Sequence, residues 1–179
     1  SRHLQRSPRA HGDWPHGTDW ICEAVAECYI PLLNEFHQLI ADGISPKVTI
    51  DISPVLCDQL EHKDFAALFL KYCDTRVELA RNDEERFRQS GEDPHLVYLA
   101  QVWQQWYADR KNDFTNTYGR SVVKALKRLQ DERHIEVMTC GATHAYLPLV
   151  GSDKAVRLQI RAAIANYEKH FASKPRGIW

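Results

Sequence analysis

Only two stretches of this chain read as β-strands, and about 80 residues of helical pattern lie between them, where a plain strand-helix-strand unit needs about 30 in all. The first is Lys47-Val48-Thr49-Ile50-Asp51-Ile52-Ser53, with Val48, Ile50 and Ile52 on one face and Pro54 ending it. The second is Ile135-Glu136-Val137-Met138-Thr139, a β-branched alternating run that stops at Gly141 and delivers Thr143 and His144 into a loop. Two strands can neither cover a sheet on both faces nor close a barrel. The pattern therefore predicts part of an α/β domain, a barrel or open sheet with a long helical insertion between strands. Pro175-Arg176-Gly177-Ile178-Trp179 reads as a turn feeding a further strand.

The remaining elements follow from helical spacing and breakers. Residues 1–17 show no period and read as loop. Ile21, Val25, Cys28, Leu32, Phe36 and Ile40 recur at helical spacing, with Thr18 at the N-terminus, Asp19 in the first turn and Asp42-Gly43 at the close. Pro31 sits inside this run and should kink or split it near Ile30. A short helix is expected over 55–61, a longer one over 64–89, a turn over 90–94, and a helical stretch over 96–133 broken near Tyr118-Gly119. A last helix over 153–171 carries Val156, Ile160, Ile164 and Tyr167 in phase.

Composition excludes several function classes. The 23 basic and 24 acidic residues nearly cancel, so the basic excess of a nucleic-acid binder is missing. No apolar run approaches the roughly 18 residues of a membrane span, so no membrane partner is expected. Five cysteines without CxxC spacing argue against a disulfide framework and a structural zinc site. No cofactor and no metal are expected, and the cytoplasm is the expected compartment.

Individual side chains carry two readings each. In α/β barrels the loops at strand C-termini hold the chemistry, so His144 is either a hydrogen-bonding group for a ligand or a structural His tied to a neighbouring loop. Trp20, and Trp14 before it, either shape a binding site or, for Trp20, fill the core from an apolar helix face. Trp103 and Trp106 share one helix face, which favours packing. His11 and His16 flank Asp13 in a polar loop. Cys140, at a strand end, reads either as a nucleophile, with His144 four residues on as its one basic partner, or as a small buried thiol, and the second reading is favoured. Asp51 points opposite the apolar face of its strand, toward either a barrel interior or a helix. Asp83-Glu84-Glu85 reads as a solvated face.

Three segments together resemble glycoside hydrolase family 57, and within it the α-1,4-glucan branching enzymes. They are His11-Gly12-Asp13-Trp14-Pro15-His16-Gly17-Thr18-Asp19-Trp20 running on to Tyr29-Ile30-Pro31-Leu32-Leu33, then Glu136-Val137-Met138-Thr139-Cys140-Gly141-Ala142-Thr143-His144-Ala145-Tyr146-Leu147-Pro148-Leu149, and last Arg176-Gly177-Ile178-Trp179. The second is similar to the family's second signature, and the third to the lead-in of its Trp-Leu-Pro-Glu-Cys signature. Residues 1–10 are atypical: Arg2-His3-Leu4-Gln5-Arg6-Ser7-Pro8 stands where His-Ser-His-Leu-Pro is the family's pattern.

The resemblance implies an incomplete (β/α)7 barrel, with residues 1–179 as the N-terminal portion of a single domain truncated at its C-terminal end. It implies retaining transfer on an α-glucan such as amylose or a glycogen-like polysaccharide. The nucleophile Glu and the acid/base Asp are expected beyond Trp179, which leaves no catalytic carboxylate in this chain, and the chain alone is expected to be inactive. His144, Trp20, Trp14 and Trp179 are the substrate-binding candidates. A family 57 amylase or 4-α-glucanotransferase is the near alternative. A polysaccharide deacetylase-like enzyme, needing a metal on Asp and two His, and a non-catalytic helical interaction module are the distant ones.

Overall fold

The computed structural model describes residues 18–91 and 93–179; the expectations for Trp14, His11, His16 and the N-terminal loop lie outside them. Helix α1 (Thr18–Ala24) passes through a π-turn (Val25–Tyr29) into α2 (Ile30–Ala41). The helix is not broken at Pro31 but widened ahead of it. Proline has no N–H, and its ring clashes with the carbonyl four residues back. Here the chain takes up one extra residue, and Ile30 N–H donates to Val25 O, five positions earlier. The extra residue also shifts the buried face. Counting from Ile21 picks out Cys28, which is exposed, and Leu32, 39% exposed, whereas the core takes Cys22, Ala26, Ile30 and Leu33.

Strand β1 (Val48–Asp51) follows, then α3 (Pro54–Leu60), whose first turn begins on Pro54 and is capped by Ser53 accepting from Leu56 N–H at 3.3 Å. Helices α4 (Phe65–Ser90) and α5 (Pro94–Asn112) form a long antiparallel hairpin, turned by Gly91 at φ 68°. Glu84 ties the pair by accepting from Gln101 (2.7 Å) and Gln104 (2.6 Å). A second π-turn (Asp113–Thr117) ends α5, and Gly119 and Arg120, both with positive φ, reverse the chain into α6 (Val122–Asp131). Ser121 caps α6, accepting from Lys124 N–H at 3.0 Å while its own hydroxyl donates to Glu61. Strand β2 (Ile135–Met138), a short 3-10 turn (Leu147–Leu149) and α7 (Asp153–Phe171) complete the order.

β1 and β2 pair in parallel, Val48 with Ile135 through Asp51 with Met138. Ile178 then makes one isolated parallel bridge to Thr139, just past β2; the stretch at 175–179 is extended there but forms no strand of its own. The core lies under the sheet. Phe65, Phe69 and Phe114 pack there, the last two with ring centroids 4.6 Å apart, against Val25, Leu33, Leu129 and Val137. Each such side chain contributes about 1.5–3 kcal/mol. Of the apolar face expected on β1, only Ile52 is buried; Ile50 is half-buried and Val48 is 38% exposed. β2, with Ile135 and Val137 buried, is the strand the core holds.

Candidate functional site

Parallel pairing ends the two strands at one level, and Ile52 N–H donates to Met138 O at 3.2 Å just past them. Asp51 is the last residue of β1, and Cys140 lies two residues beyond β2. With His144 from the following loop they converge: one carboxylate oxygen, the thiol sulfur and one imidazole nitrogen all lie within 4.8 Å of one another. Cys140 Sγ is 3.2 Å from His144 Nδ1. The sulfur is buried, whereas Asp51 and His144 are exposed.

The loop backbone explains how His144 arrives there. His144 adopts φ 58°, and its N–H donates to Gly141 O at 2.7 Å, closing a tight turn. The left-handed region costs an L-residue about 1 kcal/mol. Gly141 sits in a tight place: a Cβ would stand 3.1 Å from Leu147 Cδ2 and 3.2 Å from Ala145 O. Gln159 of α7 clamps the turn, accepting from Thr143 N–H at 2.9 Å on Oε1 and donating from Nε2 to Thr143 Oγ1 at 3.1 Å. One turn pair further along α7, the Tyr167 hydroxyl donates to Val137 O at 2.7 Å, fixing the helix to β2.

Trp179 reaches the same place from the other side. Its N–H donates to Thr139 O at 2.9 Å, and its ring stacks on the His144 imidazole, centroids 5.5 Å apart at 25°. The indole remains 62% exposed. A flat aromatic beside an imidazole, both open to solvent, offers a stacking surface and a hydrogen-bonding edge together.

Burial pushes the Asp51 carboxyl above its usual range, against a hydrogen bond from Cys140 and the proximity of His144 that pull it down. Burial first, and the Asp51 carboxylate second, push the Cys140 thiol up to about 11. At neutral pH the thiol is therefore protonated, and Cys140 is the small buried thiol that its position suggests rather than an activated nucleophile.

The sequence offered His144 only as a partner for Cys140, four residues away, and left the direction of Asp51 open; the structure brings all three together and adds Gln159. Asp51 had one usable signal, its side chain pointing opposite the apolar face of its strand; that it ends β1 beside β2 comes from the pairing. Gln159 had none. Trp20 is 67% exposed on α1, which removes the reading of it as core. α1 borders an open cleft of about 650 Å³ lined by Thr18, Ile21, Val55, His62 and Asn166, and by Ala142 of the His144 loop. Trp103 and Trp106 sit on α5: Trp106 packs against the core and Trp103 stacks on Tyr107 at 5.7 Å. Among the described residues, Asp51, Cys140 and His144 are the group that can hold a metal ion, and it is not the Asp-plus-two-His set of a deacetylase.

Residues 3–179 match glycosyl hydrolase family 57. The chain belongs to that family. It is 37% identical over 173 residues to a 1,4-alpha-glucan branching enzyme of Thermococcus kodakarensis, a match covering 96% of this chain and 24% of that protein. The crystal structure of a family 57 branching enzyme from Pyrococcus horikoshii superposes with a TM-score of 0.87 at 37% identity, covering 94% of this chain and 31% of the other. An alpha-amylase from Thermotoga maritima, AmyC, superposes with a TM-score of 0.82 at 31% identity, covering 94% and 32%. The chain therefore spans about a quarter to a third of the length of these relatives. Its mostly helical build around a small parallel sheet is the architecture it shares with them.

Proposed function

We propose that this chain is the N-terminal portion of the catalytic barrel of a 1,4-α-glucan branching enzyme, an incomplete (β/α)7 barrel in which α3–α6 and the long hairpin are a helical insertion. The observation that carries the reading is the His144–Trp179 stack at the ends of parallel strands, in a segment whose relatives are branching enzymes. The parent protein cuts an α-1,4 chain and transfers it to a 6-hydroxyl of an amylose-like or glycogen-like acceptor, as an enzyme of cytoplasmic polysaccharide synthesis. In this reading the nucleophile Glu and the acid/base Asp lie beyond Trp179, about 5–5.5 Å apart as retention requires. His144 hydrogen-bonds a hydroxyl of the donor sugar, Trp179 stacks beneath the ring, and Trp20 and Trp14 shape the approach. Retention follows from two displacements: the Glu displaces the rest of the α-1,4 chain, whose leaving oxygen the Asp protonates, and the acceptor 6-hydroxyl, giving its proton to that Asp, displaces the Glu.

The test is the full-length protein incubated with amylose. New α-1,6 anomeric signals in the proton NMR spectrum are expected. Reducing ends without α-1,6 signals would replace this reading with the amylase one, which the superposition with AmyC favours as the second choice. His144→Gln is expected to lower kcat/KM about 10–100-fold, the loss of one hydrogen bond that strengthens in the transition state.

A further inference from the structure

We propose that Asp51, Cys140 and His144 form a binding site for a thiophilic divalent cation of the zinc class, and that the ion and the sugar compete for the space at the strand ends. The competition rests on the sugar contact assigned to His144 above; the metal site does not.

The three side chains supply one carboxylate oxygen, one sulfur and one imidazole nitrogen, all within 4.8 Å of one another; the ion binds the sulfur as thiolate and displaces the Cys140 thiol proton to solvent. A tetrahedral zinc ion with Zn–S of about 2.3 Å and Zn–N of about 2.0 Å sets its sulfur and nitrogen about 3.5 Å apart, and its oxygen about 3.3 Å from the nitrogen. Cys140 Sγ and His144 Nδ1 stand 3.2 Å apart, so that pair needs to open by a few tenths of an ångström. The Asp51 oxygen closes the set by drawing in by up to about 1.5 Å toward the sulfur and nitrogen, a movement open to an exposed side chain. Mixed sulfur, nitrogen and oxygen donors suit zinc-class ions, whereas magnesium and calcium take oxygen shells.

The surroundings hold the ligands in place. His144 cannot swing freely: its turn is closed on Gly141 O, its ring lies on Trp179, and Gln159 fixes Thr143 beside it. Such outer contacts are what orient a ligating imidazole. Three protein ligands leave a fourth position, and with Asp51 and His144 both exposed that position opens to solvent at the strand ends. A hydrated ion there takes up room that a sugar on His144 and Trp179 requires.

The experiment is a cadmium chloride titration of the full-length protein, followed by the thiolate-to-cadmium charge-transfer band. Wild type is expected to show a saturable one-to-one band that Cys140→Ser removes, and Asp51→Asn, at an exposed position, is expected to weaken binding about tenfold or more. No saturable band, or a Cys140→Ser band equal to wild type, overturns the metal site, as does an Asp51→Asn variant that binds as tightly as wild type. Saturating maltoheptaose is expected to raise the cadmium midpoint. An unchanged midpoint overturns the competition, and with it the sugar contact of His144, while leaving the metal site standing.

Discussion

At Gly141 the chain passes a side chain and a carbonyl that together leave too little room for a methyl group unless one of them shifts. Leu147 Cδ2 and Ala145 O would stand 3.1 and 3.2 Å from an added Cβ, tighter than ordinary contact. The Leu147 side chain can shift by a few tenths of an ångström, but the carbonyl belongs to the same loop and yields only by moving the turn that sets His144. Gly141→Ala is therefore expected to destabilise the protein by about 1–3 kcal/mol, the usual cost of overpacking, and to displace the imidazole from Trp179. Denaturant unfolding measures the first effect, and a midpoint within 0.3 kcal/mol of wild type (roughly the noise between independent sites) would contradict it. The sequence marks Gly141 as the end of a strand. It gives no sign that the glycine is required by Leu147, six residues on, because that contact depends on how the 3-10 turn folds back. Cys140 and His144 illustrate the opposite case: their separation of four residues is visible in the sequence, and a tight turn is enough to bring the sulfur and the nitrogen together.

Among the elements, α7 is held at both ends by polar contacts. Gln159 holds the His144 loop near its start, and Lys169 and His170 near its end donate to Asp58 of α3 at 3.0 and 3.2 Å. Partial burial pushes the Asp58 carboxyl up, but the hydrogen bonds from Lys169 and His170 outweigh it and hold the group below the usual carboxylate value. A carboxyl lowered in the folded state stabilises above its unfolded value of about 3.9 and loses that contribution as pH falls through the folded value. The α3–α7 contact is accordingly expected to weaken below about pH 4. The side chain is 54% exposed, so the effect is small and salt-sensitive. Unfolding midpoints at pH 5 and pH 2.5 should differ more in wild type than in Asp58→Asn, and the gap should narrow at high salt; equal pH dependence in both proteins would refute the contribution. Most elements were legible: α3, the α4–α5 turn, β2 and α7 stand within a few residues of where period and breakers put them. The π-turn before Pro31 was not, since a proline predicts a disturbed helix without saying whether the chain breaks or takes up a residue. The core decided that, by accepting Ile30 and Leu33 in place of Cys28 and Leu32.

For the molecule as a whole, stability is unevenly distributed along the hairpin. Phe65, Phe69, Tyr72 and Cys73 of α4 and Tyr107 of α5 lie in the core, whereas no described residue from 81 to 99 is buried. Local opening follows buried apolar contact, so amides at 84–99 are expected to exchange with solvent at least about tenfold faster than those at 66–73. Uniform protection along both helices would show that something beyond the pair covers its far end. By itself the sequence determined the order of elements, the long helical excursion between two strands, the absence of a charge excess and the resemblance that led to family 57. Each of these rests on local spacing or on a contiguous motif. What the tertiary structure decided was which residues meet. Parallel pairing brought Asp51, almost ninety positions from Cys140, to the same sheet end, and the bridge at Ile178 laid Trp179 on His144. The alternating pattern of each strand sets which face it buries, but which two strands, almost ninety positions apart, become neighbours is settled only when the core packs.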